Sequence, residues 1–247
     1  TFRNFKHFYL FYVCRELKKE FPNLLSYTRF VERIPRVAIP LLLFLKLGLM
    51  GECTGITFID STRIPVCENK RQSRNRVFKG YAQKGKSTMG WYYGFKLHLL
   101  CNERGELLNF ALTRANVDDR NPKVFNDLTK DLFGKLYADK GYISQSLFAS
   151  LFDRGVHIVT GIRTNMKNRL MDVHDKIMLR KRSIIETIND MLKNVAQIVH
   201  TRHRSISNFI VNLLAGIAAY AFYDTKPSIN MEFEREEKQD VKQLTLF

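Results

Sequence analysis

The sequence predicts an α/β fold, a mixed sheet flanked by helices, with a helical N-terminal segment. Three observations predict it. The elements follow one another as strand, two-strand hairpin, helix, strand, helix, strand and helix, an alternation that calls for a sheet covered by helices. Two short apolar strands each run into an acid, Ile56-Thr57-Phe58-Ile59-Asp60 and Leu136-Tyr137-Ala138-Asp139. A third acid, Glu186, sits in a strongly periodic helix. Ligand sites in such sheets lie at strand carboxyl ends. Two strand-end aspartates and a helix-borne glutamate can therefore meet at one sheet edge and hold a divalent metal.

Taken in order, residues 1–54 read as mostly helical. They hold a dense aromatic run (Phe5, Phe8, Tyr9, Phe11, Tyr12) with breaks at Pro35 and Pro40. Ile39 to Met50 is too short for a membrane span and contains Lys46, so it reads as a packed helix. The Asp60 strand follows, then a Gly/Lys/Arg-rich loop to Gly90. Tyr92–Cys101 and Leu107–Leu112 flank Asn102-Glu103-Arg104-Gly105-Glu106, a hairpin signal with glycine in the turn. Asn121-Pro122 opens a helix, proline suiting its first turn. The Asp139 strand is followed by a helix around Gln145–Phe152, ended by Gly155, and a strand over Val156–Ile162.

In the Glu186 helix, Ile184, Ile185, Ile188, Met191, Leu192, Val195 and Ile198 form one apolar stripe. At 100° per residue, Arg182, Glu186, Asn189 and Lys193 fall within about 60° of one another on the opposite face. Alone, that face is an ordinary solvated one with Arg182–Glu186 as an i,i+4 pair. Pairing with two strand-end acids gives it a function. Ile206 to Tyr223 is the longest apolar stretch; Asn208 and Asn212 interrupt it on one face, so it is expected to be a buried C-terminal helix rather than a span. The resulting division is a helical segment over 1–54 (a candidate DNA-binding part), a catalytic domain over 55–205, the buried helix at 206–223, and a mobile charged tail over 224–247 that includes Glu232–Asp240.

A net charge of +16 favours a polyanionic partner. Basic residues cluster after the first acid, with Arg71, Arg74, Lys84 and Lys86 among them. They cluster again before Glu186, from Arg163, Lys167 and Arg169 to Arg182. Each cluster alone reads as a solvated loop; both flanking proposed metal ligands favour phosphate contacts. Four cysteines (14, 53, 67, 101) without short paired spacing support neither a zinc site nor a disulfide framework and suit a reducing cytosol. His200 and His203 lack cysteine partners and read as phosphate contacts or surface. Asp118 and Asp119 read as turn or cap residues. Trp91, Tyr92 and Tyr93 are either strand-core aromatics or a stacking surface for a base. Thr1 begins mid-pattern and is not a methionine, so the chain reads as lacking its original amino terminus.

Ribonuclease H-like folds have this order of elements, with the first and fourth strands side by side. The sequence resembles the DDE transposases of bacterial insertion sequences over roughly residues 25 to 228. The matching segments are Phe58-Ile59-Asp60-Ser61, Gly94-Phe95-Lys96-Leu97-His98, Ala138-Asp139-Lys140-Gly141-Tyr142 and the Arg182…Glu186…Lys193 helix. One large group of that family carries Tyr, Arg, Glu and Lys separated by two, three and six residues. The last three match here, and Leu179 stands at the tyrosine position.

The resemblance implies a ribonuclease H-like catalytic domain in which Asp60, Asp139 and Glu186 bind two Mg²⁺ ions, with Mn²⁺ a substitute. It implies metal-dependent DNA strand cleavage and strand transfer on insertion-sequence ends. Arg182, Lys193 and Lys140 would hold DNA phosphates, together with Arg71, Arg74, Lys84 and Lys86; Asn189 would support the site, and His98, at a recurring family position, would either support it or be structural. The implied partners are double-stranded DNA, as terminal inverted repeats and target, and a second copy in a homodimer on paired ends. The implied location is the bacterial cytoplasm, at the nucleoid, with no membrane. Two alternatives stay open: a metal-dependent nuclease of the same fold, and a non-catalytic DNA-binding remnant of a transposase.

Overall fold

Strand β1 (Ile56–Cys67) is the centre of the molecule, because every layer is built on one of its two edges or two faces. A computed structural model describes residues 4–162, 170–199 and 203–229; the expected mobile tail from Glu232 to Asp240, His200, and Arg163, Lys167 and Arg169 lie outside the described residues. One edge of β1 pairs antiparallel with β3 (Gly90–Asn102), and the other pairs in parallel with β5 (Gly134–Ala138), which pairs in parallel with β6 (Val156–Thr160). The far edge of β3 is shared end to end by β2 (Gln83–Ser87), against its first residues, and β4 (Leu107–Arg114), against the rest. Without β2 the order β4-β3-β1-β5-β6 is that of the ribonuclease H-like fold.

Alternation along β1 supplies two cores. Phe58, Leu97, Leu99 and Tyr137 point to one face. There they meet Ile185 and Ile188 of α7 (Ser183–Asp190), Leu192 beyond it, and Leu213, Leu214 and Ile217 of α8 (Ile206–Ala221). Ile59, Leu100, Leu136 and Ala138 point to the other. They are covered by Phe125 and Leu128 of α4 (Pro122–Leu128) and by Leu147 and Leu151 of α5 (Gln145–Phe152). Asn121 caps α4 through its side chain, with Pro122 in the first turn as expected, and α8 is the buried C-terminal helix. At the amino end are α1 (Phe5–Phe8), α2 (Tyr27–Arg33) and α3 (Ala38–Phe44); α6 (Val173–Lys181) directly precedes α7. Among the described residues no helix is long and apolar enough to cross a membrane.

Four expectations are corrected. Asp60 does not end its strand: Thr62, Ile64 and Val66 keep alternating inward against β3, so β1 runs seven residues further, to Cys67. The loop to Gly90 contains β2, a strand of polar side chains that hydropathy cannot reveal, because its pairing comes from the long reach of β3. The Ile39–Met50 segment is not uniformly packed. Leu45 is fully buried, but Ile39, Leu43 and Leu47 stand exposed, since only one side of α3 meets α8. The Glu186 helix is not one regular helix. A π-helical turn over Met191–Val195 follows α7, and this wider turn swings Val195, assigned to the apolar stripe, out to 63% exposure while Ile198 stays buried.

Sterics require the glycine at position 94. A Cβ there would lie 2.1 Å from the carbonyl oxygen of Ile64 and 3.0 Å from Cα of Pro65, where β1 and β3 change register. Gly94→Ala should therefore lower stability by about 1–3 kcal/mol, the range for overpacking a closed site. Urea denaturation followed by circular dichroism checks this. An unchanged midpoint would mean the two strands are not held that closely.

Candidate active site

Register places the first two acids. Thr57 pairs with Leu136 and Phe58 with Tyr137 across the parallel β1–β5 ladder. Two residues further along the same register lie Asp60, still on β1, and Asp139, the first residue past the end of β5. Both lie on the sheet face that α7 covers, because they share the parity of Phe58 and Tyr137. There β5 ends, so the acids occupy the notch where β1 runs on with β3 on one edge and no strand on the other. Asp139 is exposed and accepts a hydrogen bond from the Lys140 backbone N–H at 2.7 Å, capping the short turn Lys140–Tyr142.

Helix α7 brings the rest. Its apolar residues Ile184, Ile185 and Ile188 dock on the sheet, which turns the adjoining face over Asp60. Asn189 is buried and its Nδ2 donates to Asp60 Oδ2 at 2.9 Å. Arg182 stands between two acids: Nη2 donates to Glu186 Oε1 at 2.5 Å, and Nη1 lies 3.8 Å from Asp60 Oδ1. Arg182 Nη1 and Asn189 Oδ1 are both buried without a hydrogen-bond partner among the described residues. A cation and an acceptor are thus aimed into the same notch with bonding capacity to spare.

The electrostatics agree. Burial pushes the Asp60 carboxyl up to about 6, and Glu186 and Asp139 push the same way. Arg182 and the Ser61 backbone N–H pull against them without winning. Burial and Arg63 draw the Lys193 ammonium below its ordinary range, while Asp60 and Asp190 draw it back, so Lys193 also belongs to this cluster. Asp60, Asp139, Glu186, Arg182, Asn189 and Lys193 therefore share one neighbourhood. Among the described residues, no three Asp, Glu, His or Cys side chains converge closely enough to hold an ion in the arrangement seen. Among the described residues, the cation in direct contact with Asp60 and Glu186 is the Arg182 guanidinium.

Other predicted residues fall elsewhere. His98 pairs with Ser61 and so faces the opposite side of the sheet from Asp60. It is buried, its Nε2 is 2.9 Å from Thr113 Oγ1, and burial drives its pKa down to about 4, leaving a neutral ring in a structural place. Lys140 is exposed, and its side chain runs along Gly161. Arg71 and Arg74 lie on the 3₁₀ turn Asn69–Arg74, and Lys84 and Lys86 on β2, at the opposite end of β3 from the acids. Asp118 is the expected turn residue, accepting from Arg120. Asp119 is not: it pairs with the Lys96 ammonium at 2.9 Å. That pair, and a second between Asp175 and both Lys135 and Tyr137, join residues 23 to 40 positions apart without a local spacing signal.

The raised Asp60 pKa has a definite sign. The folded chain holds this proton more tightly than the unfolded chain, so its contribution to stability is full below about 3.8 and is lost as pH rises through about 6. Asp60→Asn keeps the shape without the charge. In chelator it should raise stability above pH 6 by on the order of 1–2 kcal/mol and flatten the profile between pH 4 and 7. Urea titrations across that range measure it; coincident profiles would show that Asp60 is not electrostatically strained.

Comparisons with known proteins place this geometry in a family. The family described as "Transposase DDE domain" matches residues 50–206, well over half of the chain. Comparison with curated protein sequences gives no match. Among solved structures, the fold is similar to a piggyBac transposase synaptic complex with hairpin DNA at 10% identity and a TM-score of 0.43, covering 69% of this chain. It is similar to the Mos1 strand transfer complex at 9% identity and 0.29, covering 85% of this chain. The chain spans 47% of the piggyBac chain and 67% of the Mos1 chain, and scores this low have no weight of their own. The family match over the segment that holds both strand acids and the Glu186 helix decides the matter: the chain belongs to the transposase DDE domain family.

Proposed function

We propose that this chain catalyses metal-dependent cleavage and strand transfer of DNA at the ends of a bacterial insertion sequence, with Asp60, Asp139 and Glu186 as the metal-holding acids. The observation that supports it most is the notch itself, where parallel register sets Asp60 beside Asp139 and Arg182 ties Glu186 to Asp60. Carboxylate oxygens are the donors that Mg²⁺ prefers. A protonatable Asp60 beside an unpartnered Asn189 acceptor suits a site that accepts a hard cation. The donor set fits, and Arg182 is the counter-charge that bound cations would displace. Divalent ions bound by the three acids would activate the attacking oxygen and offset charge on the departing one.

The chain's own residues do the remaining work. Asn189 holds one Asp60 oxygen and so orients the carboxylate. Released from the acids, the planar guanidinium of Arg182 can grip a phosphate with two donors. Lys193, half-sheltered beside Asp60, would meet the same backbone as a point charge. Residues 1–54 would add DNA contacts, and a second copy would hold the paired end. Mg²⁺ with Mn²⁺ as substitute, terminal repeats and target as substrates, and a cytoplasmic setting all belong to this reading.

Asp60→Asn, Asp139→Asn and Glu186→Gln should each abolish cleavage of transposon-end DNA while leaving DNA binding largely intact, since each amide keeps size and loses charge. Asp131→Asn, on an exposed loop, is the control. Near-normal cleavage by any one of the three removes that residue from the site. With a target plasmid present, joined product supports a transposase, and cut ends without joining support the nuclease.

On the helix, Lys193→Ala should lower the slope of log affinity against log salt by about 0.9, one phosphate's worth. Arg182→Lys should weaken binding despite conserving charge. Unchanged isotherms for both would return this helix face to plain solvation.

A further inference from the structure

The hairpin of β2 and β3 is the part of the molecule that the acid site does not use, and it concentrates three unusual features. Trp91 is the sole tryptophan of the chain and is 53% exposed. Lys86 is its direct cross-strand partner and Lys84 its diagonal one. Their ammonium groups lie 5.9 Å and 5.1 Å from the ring centroid. Tyr92 and Tyr93 point into the core instead, so the aromatic triplet divides into one presented ring and two buried anchors.

The neighbouring turn adds charge in a fixed place. Asn69 Nδ2 donates to the Trp91 carbonyl at 2.7 Å, tying the Asn69–Arg74 turn, with Arg71 and Arg74, to the hairpin. Arg71, Arg74, Lys84 and Lys86 are all exposed, and none has a carboxylate partner among the described residues. A cationic ledge around an upright indole complements a polyanion that also offers flat rings and sugars, which is nucleic acid. Acidic protein would satisfy the charges but give no reason to expose the ring.

Position selects the form. Asp60 pairs with Leu99, eight residues along β3 from Trp91, so the ledge stands about 26 Å from the acids at the usual strand rise. A duplex whose scissile phosphate sits at Asp60 would reach it about 8 base pairs, roughly three quarters of a helical turn, away. We propose that the β2–β3 hairpin is a second DNA-binding surface, in which Lys84 and Lys86 hold phosphates of the duplex arm and Trp91 lies against a sugar or base edge between them. This rests on the transposase reading and adds to it where the arm is held.

The lone tryptophan makes the test direct. A labelled mixed-sequence duplex several turns long is titrated into the full chain, with label anisotropy reporting binding anywhere and indole emission reporting Trp91. Emission should change in step with anisotropy. Lys84→Ala with Lys86→Ala should lower the salt slope by about 1.8, two phosphates' worth. Trp91→Ala should weaken binding about fivefold or more, and Trp91→Phe should recover most of it. Binding by anisotropy with silent indole emission and an unchanged salt slope in the double variant overturns the hairpin surface and leaves the acid site standing. No binding by either signal overturns both.

Discussion

The parallel pairing of β1 with β5 is the constraint on which the rest depends. Only three residue pairs hold it, Ile56–Lys135 to Phe58–Tyr137, yet it fixes the two aspartates to one level and one face. A slip of one residue would turn Asp139 to the opposite face of the sheet. Such a slip is opposed by Leu136 and Ala138, which fill the α4–α5 core, and by Tyr137, which stacks on Phe58 at 5.5 Å between centroids. Tyr137 also donates to Asp175 on α6 at 2.9 Å, so the strand is pinned from the helical side as well. Core packing, not the acids, determines where the acids stand.

Placing acids together costs stability, and the structure shows how that cost is met. At Asp60 it shows as a carboxyl lifted to about 6, first by burial and then by Glu186 and Asp139. Arg182 and Asn189 offset part of the cost from α7, a helix held down by Ile184, Ile185 and Ile188. One helix thus supplies an acid, its counter-charge and an orienting amide within eight residues. The guanidinium bridges Glu186 and Asp60, and under the proposed function it would turn toward phosphate once cations take over the neutralisation.

Much of this was legible in the sequence, for stated reasons. Apolar strand runs and helix periodicity are local signals, so the element order apart from β2, the α4 start at Asn121-Pro122 and the burial of α8 follow from spacing alone. The Arg182–Glu186 contact is an i,i+4 pair and was equally visible. What stayed hidden depends on distance in sequence. Asn189 meets Asp60 across 129 positions, and a helical wheel shows only that Asn189 shares the polar side. Asp119 looked like a turn residue because its partner, Lys96, lies on a strand 23 residues earlier. β2 has no apolar pattern to detect, and the wider turn at Met191–Val195 breaks the very periodicity used to assign Val195.

The central claim is that three acids from two strands and one helix act as one metal site. Mn²⁺ binding by the DNA-bound chain, followed by electron paramagnetic resonance, tests it without relying on turnover. The account predicts that Mn²⁺ is taken up by the unaltered chain and that Asp139→Asn, on the exposed side of the notch, lowers uptake as Glu186→Gln does. Full Mn²⁺ uptake by both variants would contradict it, because the metal would then be held by residues outside the notch.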